Sequence, residues 1–296
     1  MTTRPRTPTP TDYALLALTA AIWAGAFVGI KLAVPELGPV GVAATRAALG
    51  FCVLLPFALG MGLMAPRRSA DWGVLVLLAS LNVSIPFFLV SWAELTVDAG
   101  IASLLMGIGP LFAIIGAHYF NEGDRITPQR AVGVAIGFLG LVILFGADAL
   151  SEVGRGALVP KLALVAASLC YVISGLLVRR LDLNAISLAV HALAIAAITL
   201  VPIALVTTSS PAELDGTVIA AILYLGFLPT GLAYLLRFHL IRTVGYATFA
   251  LSINLIPVFG VLLGVVLLGE APGLNVIAAL VLVVTGLLIA RGRRSA

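Results

Sequence analysis

Pro110–Gly123, PLFAIIGAHYFNEG, and Pro257–Glu270, PVFGVLLGVVLLGE, are two versions of one pattern set 147 residues apart. Each opens on a proline, runs through small and aliphatic residues, and closes on a glutamate beside a glycine. Working outward, Trp23–Lys31 (WAGAFVGIK) aligns with Tyr171–Arg179 (YVISGLLVR) at an offset of 148, and Arg46 falls near His191 at 145, so small gaps separate the copies. The chain reads as a duplication. A duplicated, strongly apolar chain is the pattern of a secondary transporter.

Hydrophobic residues make up 61% of the chain and charged residues 10%, outside the range of water-soluble domains. Ten apolar runs, each near the ~20 residues a bilayer needs, fall at about 12–34, 38–60, 72–92, 98–120, 128–147, 157–178, 185–206, 216–236, 245–268 and 273–290. The expected fold is an all-α membrane protein of ten transmembrane helices in two inverted five-helix repeats. Its parts are a tail at 1–11, repeats at 12–147 and 157–290, a periplasmic linker at 148–156 and a basic tail at 291–296. MTTRPRTPTP reads as a disordered basic tail. The run after it is too long for a signal-peptide core and reads as a retained helix. Cys52 and Cys170 fall inside spans as packing residues. Asn82-Val83-Ser84 matches a glycosylation sequon but lies within a span.

The net charge of +4 is topological rather than a sign of nucleic-acid binding. With the N-terminus inside, thirteen of the seventeen lysines and arginines lie at cytoplasmic span ends. Lys31, Arg155 and Lys161 lie outside, and Arg46 lies within a span. Both termini are therefore expected in the cytoplasm. The loops also invert between the copies: Arg67 and Arg68 answer to Glu213 and Asp215, Glu94 and Asp98 to Arg237 and Arg242, and Arg125 and Arg130 to Glu270. An odd number of helices per repeat forces that inversion.

Trp23-Ala24-Gly25-Ala26-Phe27 with Lys31, Arg46, and the paired runs Pro110…Glu122…Gly140 and Pro257…Gly269-Glu270…Gly286 carry a resemblance over nearly the whole chain. It resembles the EamA type of the drug/metabolite transporter superfamily. The resemblance implies alternating access around a central cavity between the halves, with helices 5 and 10 peripheral and no cofactor. It is closest to exporters of amino acids and related metabolites. Tyr171 departs from the pattern, which often has tryptophan there.

The residues add their own candidates. Pro86, Pro110, Pro229 and Pro257 free the carbonyls of Asn82, Met106, Leu225 and Ile253, for hinging or for a substrate ammonium. Trp23, Phe27 and Lys31 share a helix face, with Gly25 and Gly29 on another. The expected substrate-binding set is Trp23, Phe27, Asn82, Ser103, Tyr171, Ser174, Tyr234 and Asn254; each also has a plain packing reading. Arg46 is the one base well inside a span, where charge is expensive and functional. His191 is a candidate proton carrier. No Asp or Glu reads as central to a span, which puts facilitated diffusion at least on a par with tight ion coupling. Glu122 and Glu270 are expected to cap or tether helix ends.

No metal site or hydrolase motif is legible. The expected protein is an inner-membrane exporter of small zwitterionic metabolites, neutral or aromatic amino acids above all, with lipophilic cations as further guests. A sugar-phosphate or nucleotide-sugar carrier would need more buried bases than Arg46 and Lys31. A membrane receptor or scaffold is the reading from another class. The partners are the substrate and membrane lipid. Monomer and homodimer both fit, because the Gly25/Gly29, Gly133/Gly137 and Gly260/Gly264 pairs suit close helix packing within one chain or between two. Fifteen arginines against two lysines suit a GC-rich bacterium.

Overall fold

The computed structural model describes residues 6–120, 126–145, 158–208 and 214–290. Every regular element among them is helical. The first half holds α1 (Pro10–Gly60), α2 (Ser69–Ala79), α3 (Ile85–Ala93), α4 (Ala99–Met106), α5 (Gly109–Phe120) and α6 (Pro128–Phe145). The second holds α7 (Leu158–Leu177), α8 (Ala185–Thr207), α9 (Gly216–Phe227), α10 (Ala233–Val244), α11 (Tyr246–Leu268) and α12 (Leu274–Ala290). Among the described residues, eight helical stretches are long and apolar enough to cross a membrane, and α12 is a shorter apolar helix. Leu205, Val206 and Leu274 stand 80–86% exposed, an aliphatic surface suited to lipid. The chain is a multi-pass membrane protein.

Helix α1 is 51 residues long. At 1.5 Å per residue it would run about 75 Å, more than twice the hydrocarbon core. Gly38 breaks it, with φ 65° and ψ 167° between Pro35 and Pro39. Only glycine enters that region without strain, and Pro39 has no N–H to continue the ladder. The break separates the two runs read at 12–34 and 38–60. At the other end, Thr9 and Asp12 form a capping box. Arg6 pairs with Asp12 at 2.6 Å, and its backbone N–H donates to the Thr243 carbonyl at 3.0 Å. Residues 6–9, expected to be a disordered tail, are therefore docked. Residues 1–5, Glu122, Arg125, Arg155, the 148–156 linker, Glu213 and the 291–296 tail lie outside the described residues.

Packing crosses between the halves. Helix α6 lies on α12, α4 on α11, α3 on α7, and α1 on α8, α9 and α11. The glycine pairs are consumed here. A Cβ at Gly133 would overlap the Ala290 nitrogen and the Gly286 carbonyl, so α6 and α12 touch backbone to backbone. Gly260 is filled by the Ser103 side chain, and Gly25 by the Tyr224 ring.

Three local readings change. Helix α10 runs on through Arg237 and Arg242, which were placed in a loop. The 98–120 run is two helices, divided at Gly107–Ile108. Pro257, the counterpart of Pro110, sits inside an unbroken 23-residue α11. The difference follows from the neighbours: glycines flank the first site (Gly107, Gly109), whereas Asn254, Leu255 and Ile256 precede the second. Glycine supplies the backbone freedom that a proline alone does not.

Candidate functional site

Two short π-helical segments interrupt the spans, Ser80–Ser84 between α2 and α3 and Leu228–Leu232 between α9 and α10. A π turn widens the ladder and turns carbonyls and side chains toward the interior, which is why such segments gather at functional sites. The first leads into Pro86, and the second contains Pro229.

Arg46, on the second arm of α1, reaches the second π segment and the start of α3. Its Nε donates to Thr230 Oγ1 at 2.9 Å, and its guanidinium carbon lies 4.0 Å from the centre of the Phe87 ring. Thr230 Oγ1 in turn donates to the Leu225 carbonyl at 2.7 Å. That is the carbonyl Pro229 leaves without its helical donor, so the threonine repairs the break and presents a lone pair to the arginine. Tyr171, Tyr234, Tyr224 and Glu94 lie within electrostatic range of Arg46. The centre is thus one half-buried cation, an aromatic face and three phenols, drawn from α1 and α3 in one half and from α7, α9 and α10 in the other.

Beside it, Ser174 Oγ lies 3.0 Å from Asn82 Oδ1 and 2.9 Å from the Tyr171 carbonyl, joining α7 to the first π segment. Trp23 Nε1 donates to the Pro229 carbonyl at 3.1 Å, and the indole stands edge-on to Phe249 at 5.9 Å. Tyr224 donates to the Ile22 carbonyl at 2.8 Å. The Met106 carbonyl, freed by Pro110, meets Ser168 Oγ at 3.5 Å. Two of the four carbonyls released by prolines are therefore met by hydroxyls of the chain.

Several expected site residues sit elsewhere. Trp23 packs with Leu16, Leu240 and Phe249, while Phe27 lies in the larger core with Ile30 and Leu225, so they form no common aromatic wall. Ser103 is fully buried at the α4–α11 crossing, its hydroxyl turned to the Gly100 carbonyl at 2.8 Å. Asn254 is half-buried on α11. His191 is bound to the Ser187 carbonyl at 2.7 Å and packs edge-on against Trp72 at 5.8 Å. A cavity of about 190 Å³ lined by Asp98, Glu270 and Asn275, and another of about 260 Å³ lined by Arg67, Arg68 and Arg180, lie outside this centre.

Reading the sequence alone missed Phe87, Tyr224, Thr230 and Glu94. Thr230 had a signal: a hydroxyl next to a mid-span proline. Glu94 had none, because a carboxylate at the end of an apolar run reads as a loop. It is 0% exposed, which removes the argument from absent carboxylates. Lys31, read as an outer marker, is half-buried and donates to the Glu94 and Val97 carbonyls at 2.9 and 2.8 Å. Glu270 caps α4 as expected, accepting from the Ala99 and Gly100 nitrogens at 2.6 and 2.9 Å.

The profile of the EamA-like transporter family matches residues 12–146 and again 160–292. The chain belongs to that family. It is 28% identical over 258 residues to a probable terminal-alkyne amino-acid exporter of Streptantibioticus cattleyicolor, covering 87% of this chain and 85% of that one. A probable amino-acid metabolite efflux pump of Salmonella typhimurium is 26% identical, covering 94% of each. A solved crystal structure shares the fold with a TM-score of 0.67 at 22% identity, over 96% of this EamA-family chain and 99% of the other. The EamA match over both halves makes the chain a transporter of the drug/metabolite superfamily.

Proposed function

We propose that this transporter exports small zwitterionic metabolites, neutral and aromatic amino acids among them, across a bacterial cytoplasmic membrane by alternating access. In this reading α1 crosses twice, turning at Gly38, which with the other stretches gives ten spans. The halves are inverted, and both termini are cytoplasmic. The observation that carries the reading is the Arg46 centre. A guanidinium that uses only Nε on Thr230 keeps its terminal donors for a substrate carboxylate, in the forked geometry arginine offers. Phe87, Tyr171, Tyr224 and Tyr234 then provide surfaces for the substrate side chain. Trp23, Asn82 and Ser174 position this centre through the π segments. Pro86, Pro229 and the Gly107–Pro110 break supply the bending that alternating access needs.

The names of the two relatives support the amino-acid class. A phosphorylated substrate is disfavoured because Lys31, the second interior base, is committed to two backbone carbonyls. Counterflow of a labelled neutral amino-acid panel in proteoliposomes tests the reading. Exchange of at least one member that is lost in Arg46→Ala supports it. No exchange of any member sinks the substrate class.

A further inference from the structure

Both oxygens of the Glu94 carboxyl are buried without a hydrogen-bond partner, and no other buried side-chain oxygen or nitrogen among the described residues is in that position. Glu94 follows α3 directly, where the chain turns toward α4. Its backbone carbonyl anchors Lys31, but its side chain caps nothing and pairs with nothing. The charged groups that face it are Lys31 and Arg46 from α1 and Glu270 from beyond α11. Lys31 is occupied by the Glu94 and Val97 carbonyls, and Glu270 by the α4 nitrogens.

A structural carboxylate would have used one of these donors. An ionised one enclosed with no contact to a cation or an N–H is strongly disfavoured, so the enclosed form carries a proton. Two cations nevertheless lie within electrostatic reach, ready to stabilise the anion once water or a moving helix reaches it. Glu270, one of the charged groups facing Glu94, lines a cavity of about 190 Å³ with Asp98 and Asn275.

We propose that Glu94 is a proton-binding site whose loading and unloading accompany the conformational cycle, making this chain a proton–substrate antiporter. The proposal rests on the transporter reading above. In unloading, the carboxyl O–H bond breaks, the proton passes to water, and the carboxylate is met by Lys31 or Arg46. A substrate ammonium entering the centre favours the ionised form, so substrate and proton oppose one another. By linkage each drives the other across.

Two measurements on the purified full chain test this. Infrared spectra near neutral pH should contain a protonated-carboxyl band that Glu94→Gln removes and Glu94→Asp shifts; identical spectra in all three overturn the proton site. In wild-type proteoliposomes, counterflow without a gradient tests the transporter reading by itself. An acid interior of one pH unit should then concentrate substrate about tenfold, the limit for one proton per substrate, and Glu94→Gln should not respond to the gradient. Counterflow that ignores the gradient overturns the coupling and leaves the transporter standing. If no amino acid exchanges, the band difference still supports the proton site while the substrate class falls.

Discussion

The π segments Ser80–Ser84 and Leu228–Leu232 occupy the same place in the two halves, offset by 148 residues, yet they hold different partners. Asn82 of the first takes a neutral hydroxyl, Ser174 of α7. Thr230, at the equivalent position of the second, takes the Arg46 guanidinium. The widened turn is a property of the backbone and is present in both copies. What it presents is one side chain, and there the copies diverge. The difference teaches that the duplication supplied the widened turn twice and the charge once.

The largest test of that asymmetry is Arg46→Ala. Removing this half-buried, hydrogen-bonded charge should cost about 3 kcal/mol, so counterflow should fall on the order of 100-fold while the protein still inserts. Arg46→Lys keeps the charge without the fork and should recover only part of the rate. Wild-type rates in the alanine variant would move the centre elsewhere. Next comes Thr230→Val, which strands both Arg46 Nε and the Leu225 carbonyl. Stability in detergent should drop by about 1–3 kcal/mol, read as a lower melting temperature, with transport about tenfold slower.

Smaller again is Trp23→Phe, which keeps the contact with Phe249 but removes the N–H held by the Pro229 carbonyl. About 1 kcal/mol and a roughly fivefold slower exchange are expected, visible as reduced initial rates in the counterflow assay. Asn82→Ala should matter least. Ser174 keeps the Tyr171 carbonyl as a second acceptor, so the loss should stay within about 1 kcal/mol and threefold in rate. Equal damage from Asn82→Ala and Thr230→Val would erase the comparison and make the two π segments functional equals.

Much of the scaffold was legible from residues. The Pro110 and Pro257 runs exposed the duplication, and the small-residue pairs at Gly25/Gly29, Gly133/Gly137 and Gly260/Gly264 marked where helices come into contact. Arg46 was legible because a base inside an apolar run has few reasons to be there. The π segments were not, since a proline announces a lost donor but not how the turn is rewoven around it. Asn82 and Ser174, both expected to meet substrate, bond to each other, a pairing across 92 residues that no local pattern encodes. Glu94 was hidden for a related reason: the charges within reach of it, Lys31, Arg46 and Glu270, come from α1 and from beyond α11, not from its own segment. Ser103 looked like a cavity hydroxyl because sequence does not reveal that Gly260 leaves a notch of its size.

The glycine seam between α6 and α12 has a further consequence. With Gly133 and Gly286 in backbone contact, neither lipid tail nor water fits between these helices. Under the alternating access proposed above, these two helices would form a shared axle and the helices around Arg46 would carry the movement. Because α6 and α12 are equivalent members of the two copies, the axle has the form of a helix laid against its own duplicate. A half-length ancestor assembling in pairs would have met its twin along this line, so the fused chain still carries, inside one molecule, the footprint of a dimer.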